Sequence, residues 1–442
     1  MKLLVTGLCT LHWGRLEYGN IGNYYIIEPL FRELHRVFPD AEITTTFQMT
    51  DLFVERERVT VLPMSLYYSW EPEDIENAKN EYEIACEYGQ TGVLRDTTPF
   101  IDVVRQADIV LDFSGDMWGD NAEHVGHGRF LVDLYKMRCA QLLGKKTVLF
   151  AGTPGPFSDP ETVAFAKEVF SHFDLVPLRE PMAAKNLRQW GFDLSKTIES
   201  ACPAFLFEPE TNEQAAGALR AEGLDKLHDK ALVGFTICGF NIPQAPYDMW
   251  PRDDTQYEVF ARAVEYIVNE LHARVFLISH TNGFEREPNF RLINGRDWII
   301  EKQLRDVLCK RGNIADMDDV RLMHNPHVPK EMKALLRQFD MFVTGRLHAS
   351  CGAISQYIPT VFIMHGKSFI RSTKIQGFAQ LAGVEDYVCE PDDAVEMTDK
   401  IASCWKNRTQ VHATLLKTIP VVQAQARAAF DSLKRLLEEG KG

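Results

Sequence analysis

The chain has 442 residues, enough for two or three domains at about 150 residues each. Hydrophobic residues make up 45% and charged residues 25%, which excludes a disordered chain, a collagen-like chain and a small disulfide-stapled scaffold. Its 62 acidic and 48 basic residues leave a formal charge of −14, a poor match to nucleic acid or an anionic membrane surface, so a bound anion needs cations gathered locally.

Met1-Lys2-Leu3-Leu4-Val5-Thr6-Gly7 has too short an apolar run for a signal peptide, and His12, Trp13 and Arg15 stand where a cleavage site would be. It reads as a buried first strand. Apolar residues from Ile26 to Phe38 then recur at helical spacing. Strands are predicted at 42–49 and 58–66, followed by a polar helix at 73–88, a strand at 108–113 and a helix at 129–143. Next come a strand at 146–151, a helix at 159–172 and a strand at 174–178. The acidic, apolar-poor stretch 208–230 reads as a linker. A second βα series carries strands at 231–238, 274–279, 340–344 and 359–364, and a long helical period closes the chain at 410–438. Alternation of strand and helix implies an α/β fold. It predicts two Rossmann-like domains, 1–207 and 231–408, facing across a cleft. Residues 409–442 are expected to return to the first domain. No stretch reaches the roughly 20 apolar residues of a transmembrane helix. The nine cysteines contain no C-x-x-C pair and read as buried thiols of a reducing, cytoplasmic compartment.

The most informative segment is Asp340-Met341-Phe342-Val343-Thr344-Gly345-Arg346-Leu347-His348-Ala349-Ser350. An apolar strand ends at Gly345 and small residues open a helix, so Arg346 and His348 fall at a strand-to-helix turn whose backbone N–H groups favour an anion. Arg supplies a planar fork for carboxylate or phosphate, and His titrates near neutral pH. His365-Gly366-Lys367-Ser368-Phe369-Ile370-Arg371 follows the next strand and adds cations at the same sheet edge. Other features keep two readings. His280 ends a strand, as a site residue or a core histidine. Arg179 either reaches a cleft or pairs with Glu180 and caps a helix. Tyr67, Tyr68, Trp70 and Trp118 either stack on sugar rings or pack. The loop holding Asp116, Asp120, Glu123, His124 and His127 binds a substrate, does acid–base work or is plain surface, and metal ligation is the weaker reading. Asp316-Met317-Asp318 reads as a polar turn, and no metal site, P-loop, dinucleotide fingerprint or nucleophile elbow is expected.

The Arg346-Leu347-His348-Ala349 segment resembles the signature of the polysaccharide pyruvyltransferase family. Gly19-Asn20-Ile21-Gly22-Asn23 is similar to that family's Gly-Asn-x-Gly-Asp turn, with Asn23 in place of Asp. Gly152-Thr153-Pro154-Gly155-Pro156-Phe157 resembles its Ile-Gly-Pro-Phe loop. Leu178-Arg179-Glu180-Pro181, then Leu187 and Gly191, resembles its Arg-Glu stretch, although alanines (Ala183, Ala184) stand where Ser or Thr is usual. Ile278-Ser279-His280 and Lys367 match a strand-ending His and a late Lys. Ser114-Gly115-Asp116 replaces a triple-glycine turn.

The resemblance implies a glycosyltransferase-B-like pair of domains, 1–207 on the acceptor side and 231–408 on the donor side, and transfer of a pyruvyl group from phosphoenolpyruvate to a sugar diol of a glycan or lipid-linked saccharide, giving a pyruvate ketal. No cofactor is implied beyond phosphoenolpyruvate as co-substrate. His348 would be the acid, with Asp116 or Asp120 taking a hydroxyl proton. Arg346, Lys367, Arg371, Ser350 and His280 would bind the donor, and Asn20, Asn23, Arg179, Trp118 and His124 would line the acceptor side or cleft. A lipid-linked acceptor would bring the protein to the inner membrane face. The competing expectations are a sugar-nucleotide glycosyltransferase and a non-catalytic binding relative.

Overall fold

The computed structural model describes residues 1–439 except 9–12, 125, 228, 243–248, 287 and 367–372. Its chain divides into two compact units. The first comprises Met1–Leu16, Ile27–Pro203 and Ala424–Gly442, and the second Glu17–Ile26 and Ala204–Gln423.

In the first unit the strands are β1 (Lys2–Thr6), β2 (Glu42–Thr45), β3 (Val59–Val61), β4 (Ile109–Asp112), β5 (Lys146–Leu149), β6 (Val176–Leu178) and β7 (Thr197–Glu199). A five-stranded parallel sheet runs β3-β2-β1-β4-β5. The parallel pair β6-β7 continues it through bridges from Val148 to Leu175 and from Gly152 to Leu178. Ile109, Val110 and Leu111 are fully buried, as expected of a parallel strand covered by helices on both faces.

In the second unit the strands are β8 (Leu232–Thr236), β9 (Arg274–Leu277), β10 (Asn282–Glu285), β11 (Arg291–Asn294), β12 (Val320–Leu322), β13 (Met341–Thr344), β14 (Thr360–Ile363) and β15 (Val388–Cys389). The six-stranded parallel sheet has the order β12-β9-β8-β13-β14-β15, and β10-β11 is a separate antiparallel hairpin. Counted along the chain this is the order 3-2-1-4-5-6 of a doubly wound sheet, whose order reverses between its first and fourth strands. That places the switch point between β8 and β13, and ligands of such sheets bind beyond the strand ends there. Register sharpens the point. Thr344 lies level with Thr236, and Phe235 with Leu277, so Cys238, His280 and Arg346 all leave the same edge.

Two boundary expectations are corrected. Residues 208–230 are no linker: Ala215, Leu219 and Leu224 are buried and a helix forms at Ala216–Ala221. The acidity that suggested solvent exposure includes Glu222, which is itself buried. Its carboxylate accepts from the backbone N–H groups of His324 (2.8 Å) and Asn325 (2.9 Å), from Asn325 Nδ2 (3.0 Å), and bonds His327 Nε2 (2.9 Å). Residues 17–26, placed in the first domain by sequence order, pack with the second unit. Asn20 bridges Thr281, and Tyr25 stacks on Phe207 with ring centroids 4.6 Å apart. The closing helix runs Arg408–Glu439. In the first unit its Phe430 packs on Phe150 at 4.7 Å.

Candidate functional site

The second unit's switch point is built around a buried asparagine. Asn241 Oδ1 accepts from the Cys238 backbone N–H at 2.8 Å, while its Nδ2 donates to the carbonyls of Gly345 (3.4 Å) and Met364 (3.1 Å). One amide thus ties together the chain leaving β8, β13 and β14. A Cβ at Gly345 would fall inside the Asn241 side chain, so the strand-to-helix turn closes only with glycine there.

Arg346 is the N-cap of helix Leu347–Ile354. The sequence suggested a cation waiting for an anion. Instead its fork is engaged by Asp297: Nε donates to Oδ2 at 2.9 Å and an Nη to Oδ1. Burial alone would favour loss of the guanidinium's charge, but Asp297 outweighs it and holds the Arg346 pKa above its ordinary value. Asp297 opens helix Arg296–Arg311, and one turn later the fully buried Glu301 accepts from the Ile237 N–H at 2.6 Å. Burial pushes the Glu301 carboxyl well above the usual carboxylate range.

His280 follows β9 and is fully enclosed. Burial first, and the Arg346 cation second, push its imidazole down to about 3, so the ring is neutral at physiological pH. Its Nε2 has no hydrogen-bond partner among the described residues, and its ring meets Tyr25 edge-on with centroids 5.2 Å apart. A buried ring nitrogen without a partner marks a place for a ligand atom or a water.

His348 sits in the first turn of its helix, half-buried, with its ring edge to Phe378. The 19–23 turn lies against it: a Cβ on Gly22 would come within 2.6 Å of the His348 Cβ. That turn is internally braced, Asn20 Oδ1 accepting from the Gly22 N–H (3.1 Å) and its carbonyl from Asn23 N–H (2.9 Å). Asn23 is half-buried at the start of helix Ile21–Val37. Hence Asn20, Asn23, Gly22, His280, Arg346 and His348 belong to one unit, although 257 or more residues of sequence separate the first three from the others. Ser350, expected on the donor, is turned inward: its buried hydroxyl donates to the Leu347 carbonyl at 2.6 Å. Lys367 and Arg371 lie outside the described residues.

The first unit gathers a separate polar group at its own strand ends. Arg179, almost fully buried, donates from Nε to Thr153 Oγ1 at 2.7 Å, and its Nη2 is 3.6 Å from Asp116. The cap of helix Pro181–Gln189 is Glu180, which accepts from the Met182 N–H at 2.6 Å. Burial pushes the Glu180 carboxyl up to about 7 against the pull of Arg179. Asp120 is half-buried and raised by burial, in part offset by Ser158. Trp118 cannot stack on a sugar. It is fully buried at the centre of a ring cluster with Phe130, Phe157, Phe170, Phe173 and Phe192, at centroid distances of 5.3–6.4 Å. Tyr67 and Tyr68 are buried too. His124 is exposed, in a loop whose Glu123 accepts from the Gly128 and Phe130 N–H groups at the start of helix Arg129–Leu142. Among the described residues no group of three or more His, Cys, Asp or Glu could hold a metal ion, and no helix is long and apolar enough to cross a membrane.

Sequence reasoning missed Asp297, Asn241, Thr153 and Glu301. The one available signal was acidic residues at 297 and 301 on the same helical stripe as the buried Ile300, Leu304 and Leu308.

Comparison with solved structures returns the same α/β architecture. A glycosyltransferase from Rickettsia africae superposes with a TM-score of 0.58 at 10% identity, covering 99% of this chain and 98% of that one. The UDP-GlcNAc 2-epimerase of Neisseria meningitidis, bound to UDP-GlcNAc, gives 0.55 at 11% identity with 99% and 100% covered. Anabaena HepE in complex with UDP gives 0.54 at 12% identity with 100% and 99% covered. These likenesses establish a glycosyltransferase-B-like fold. In sequence the chain is 21% identical over 407 residues, 86% of its length and 88% of the relative's, to the amylovoran biosynthesis protein AmsJ of Erwinia amylovora. Residues 20–367, well over half of the chain and inclusive of both the Asn20 turn and the Arg346 turn, match the polysaccharide pyruvyl transferase family, to which this protein belongs.

Proposed function

We propose that the protein transfers the pyruvyl group of phosphoenolpyruvate to two hydroxyls of a saccharide, free or lipid-linked, with no further cofactor. The observation that carries this reading is the Arg346–His348 turn at the switch point of the second unit, inside the segment that matches the family. Phosphoenolpyruvate offers a phosphate and a carboxylate to a guanidinium, to the first N–H groups of helix Leu347–Ile354 and to the neutral His280. His348 protonates the methylene carbon, leaving an oxocarbenium-like centre at the neighbouring carbon. The first sugar hydroxyl bonds to that carbon and gives up its proton to a carboxylate. Phosphate departs with its bonding pair, and the second hydroxyl closes the ketal with loss of its proton. One donor and one diol thus give one ketal and one phosphate.

The resemblance in fold to proteins solved with UDP or UDP-sugars favours one second reading, a sugar-nucleotide glycosyltransferase. A melting experiment separates the two. A ligand at 100 times its dissociation constant stabilises by about 2.7 kcal/mol. We expect a clear upward shift with phosphoenolpyruvate and none with UDP or with EDTA. A shift with UDP and none with phosphoenolpyruvate would move the assignment to the second reading.

A further inference from the structure

We propose that Asp297 is the positioning residue of the donor site, fixing which edge of the Arg346 guanidinium a phosphorylated ligand meets. The inference rests on the phosphoenolpyruvate reading and deepens it. Asp297 takes the Nε and one Nη of Arg346 in a fork-to-fork pair, the geometry that fixes the plane of a guanidinium and not only its charge. The pair is one-sided. The Asp297 side chain has no exposure at all, whereas that of Arg346 keeps 17%. Since Asp297 engages Nε and Nη2, a ligand that meets the guanidinium takes the edge that carries Nη1.

Asp297 is itself fixed. Its backbone N–H donates to Thr281 Oγ1 at 3.0 Å, and Thr281 adjoins His280 and bridges Asn20. One residue thus links helix Arg296–Arg311, the end of β9 and the 19–23 turn, through its backbone N–H, to the arginine at the end of β13, through its carboxylate. The pair also has an electrostatic consequence. A carboxylate beside the guanidinium cancels most of its long-range attraction for an anion. A chain selected only for anion affinity would do better without it. What Asp297 contributes is orientation, and a displacement of about 1 Å at such a site can cost on the order of a hundredfold in rate.

This gives a sign that charge alone would reverse. Asp297→Asn keeps the shape and one acceptor but removes the negative charge. If Asp297 acts only as a nearby charge, the variant binds phosphoenolpyruvate more tightly. If it positions Arg346, binding weakens. Asp297→Glu keeps the buried arginine paired, and so protects the fold, but moves the fork by a methylene. The experiment is calorimetric titration of the purified full-length wild type and both variants with phosphoenolpyruvate and, separately, with inorganic phosphate. Steady-state kinetics with a saccharide acceptor accompany it. We expect both variants to lose about tenfold or more in phosphoenolpyruvate affinity and in kcat/KM for the donor, with the KM for the acceptor unchanged. Should Asp297→Asn not fold, the Asp297→Glu result decides. Unaltered or tighter donor binding by a folded variant overturns the inference and leaves the functional reading standing. Wild-type protein that binds UDP but not phosphoenolpyruvate overturns that reading, and the inference with it.

Discussion

Arg346 and His348 are separated by one residue yet have different surroundings, and substitutions should separate their roles. Arg346→Lys keeps the charge and loses the fork, and with it one of the two bonds to Asp297. Loss of a charge-assisted hydrogen bond costs about 1.5–3 kcal/mol, so donor affinity should fall by roughly one to two decades. His348→Gln should fold and bind the donor while turnover falls by about 10²–10⁴. Titration calorimetry beside kcat measurements tests this; a His348→Gln enzyme that binds poorly but turns over normally at saturation would make His348 a phosphate ligand. The two residues were legible because a strand, a glycine and small helix-opening residues surround them. Asp297 was not, since only the tertiary fold brings β9, β13 and helix Arg296–Arg311 together, and a lone Asp at a helix start usually caps. Trp118 misled for a related reason: an aromatic beside polar loop residues looks exposed until the rings of Phe157, Phe170 and Phe192 close around it.

At the scale of elements, the segment 208–230 depends on a buried acid–imidazole cluster. Burial alone would lower the His327 pKa, yet the hydrogen bonds to Glu222 and Glu331 prevail and lift it to about 9. The Glu222 carboxyl, though penalised by burial, is held below its ordinary value by His327 and the backbone N–H groups of the 324–327 turn. A histidine whose folded pKa is raised adds stability that is complete below its unfolded value of about 6.5. That contribution disappears as pH rises through about 9. The Glu222 contribution runs the other way, present above about 4.3 and lost as pH falls. Removing one partner of a buried pair costs about 3–5 kcal/mol, so Glu222→Gln should be strongly destabilising at pH 6. The deficit should shrink by pH 9.5, where His327 is largely neutral in the wild type too. Urea midpoints of both proteins at the two pH values check this, and a deficit independent of pH would remove His327 from the account. No composition rule could find this cluster, because Glu222 and His327 lie 105 residues apart and the surrounding acidity mimics a solvated linker.

For the molecule as a whole, the alternation of strands and helices carried the α/β class. Apolar runs such as Leu232–Thr236 and Met341–Thr344 revealed the buried strands because both faces of a parallel sheet are covered. What the alternation could not reveal is that the second unit takes Glu17–Ile26 from early in the chain, since that depends on where the start of helix Ile21–Val37 finds its apolar partners. The first unit takes its last segment from the end of the chain: Ala426, Ala429, Phe430 and Leu433 are buried, and Phe430 lies against Phe150 just beyond β5. The Arg36–Asp431 pair at 3.0 Å is exposed and by itself adds little. The stabilisation is therefore apolar, and Phe430→Ala should cost about 3–5 kcal/mol. The loss should be local. Amide exchange ought to accelerate in β5, beside whose end the phenylalanine packs, and in β4 and β1, which follow it in the sheet, while β8, β9 and β13 keep their protection, because exchange reports the stability of each cooperative region separately. Phe430→Leu, which keeps most of the volume, should recover much of the protection. Exchange measured by mass spectrometry on the full-length protein resolves the two sheets. Equal loss in both, or loss in neither, would show that the closing helix is not a part of the first unit's core.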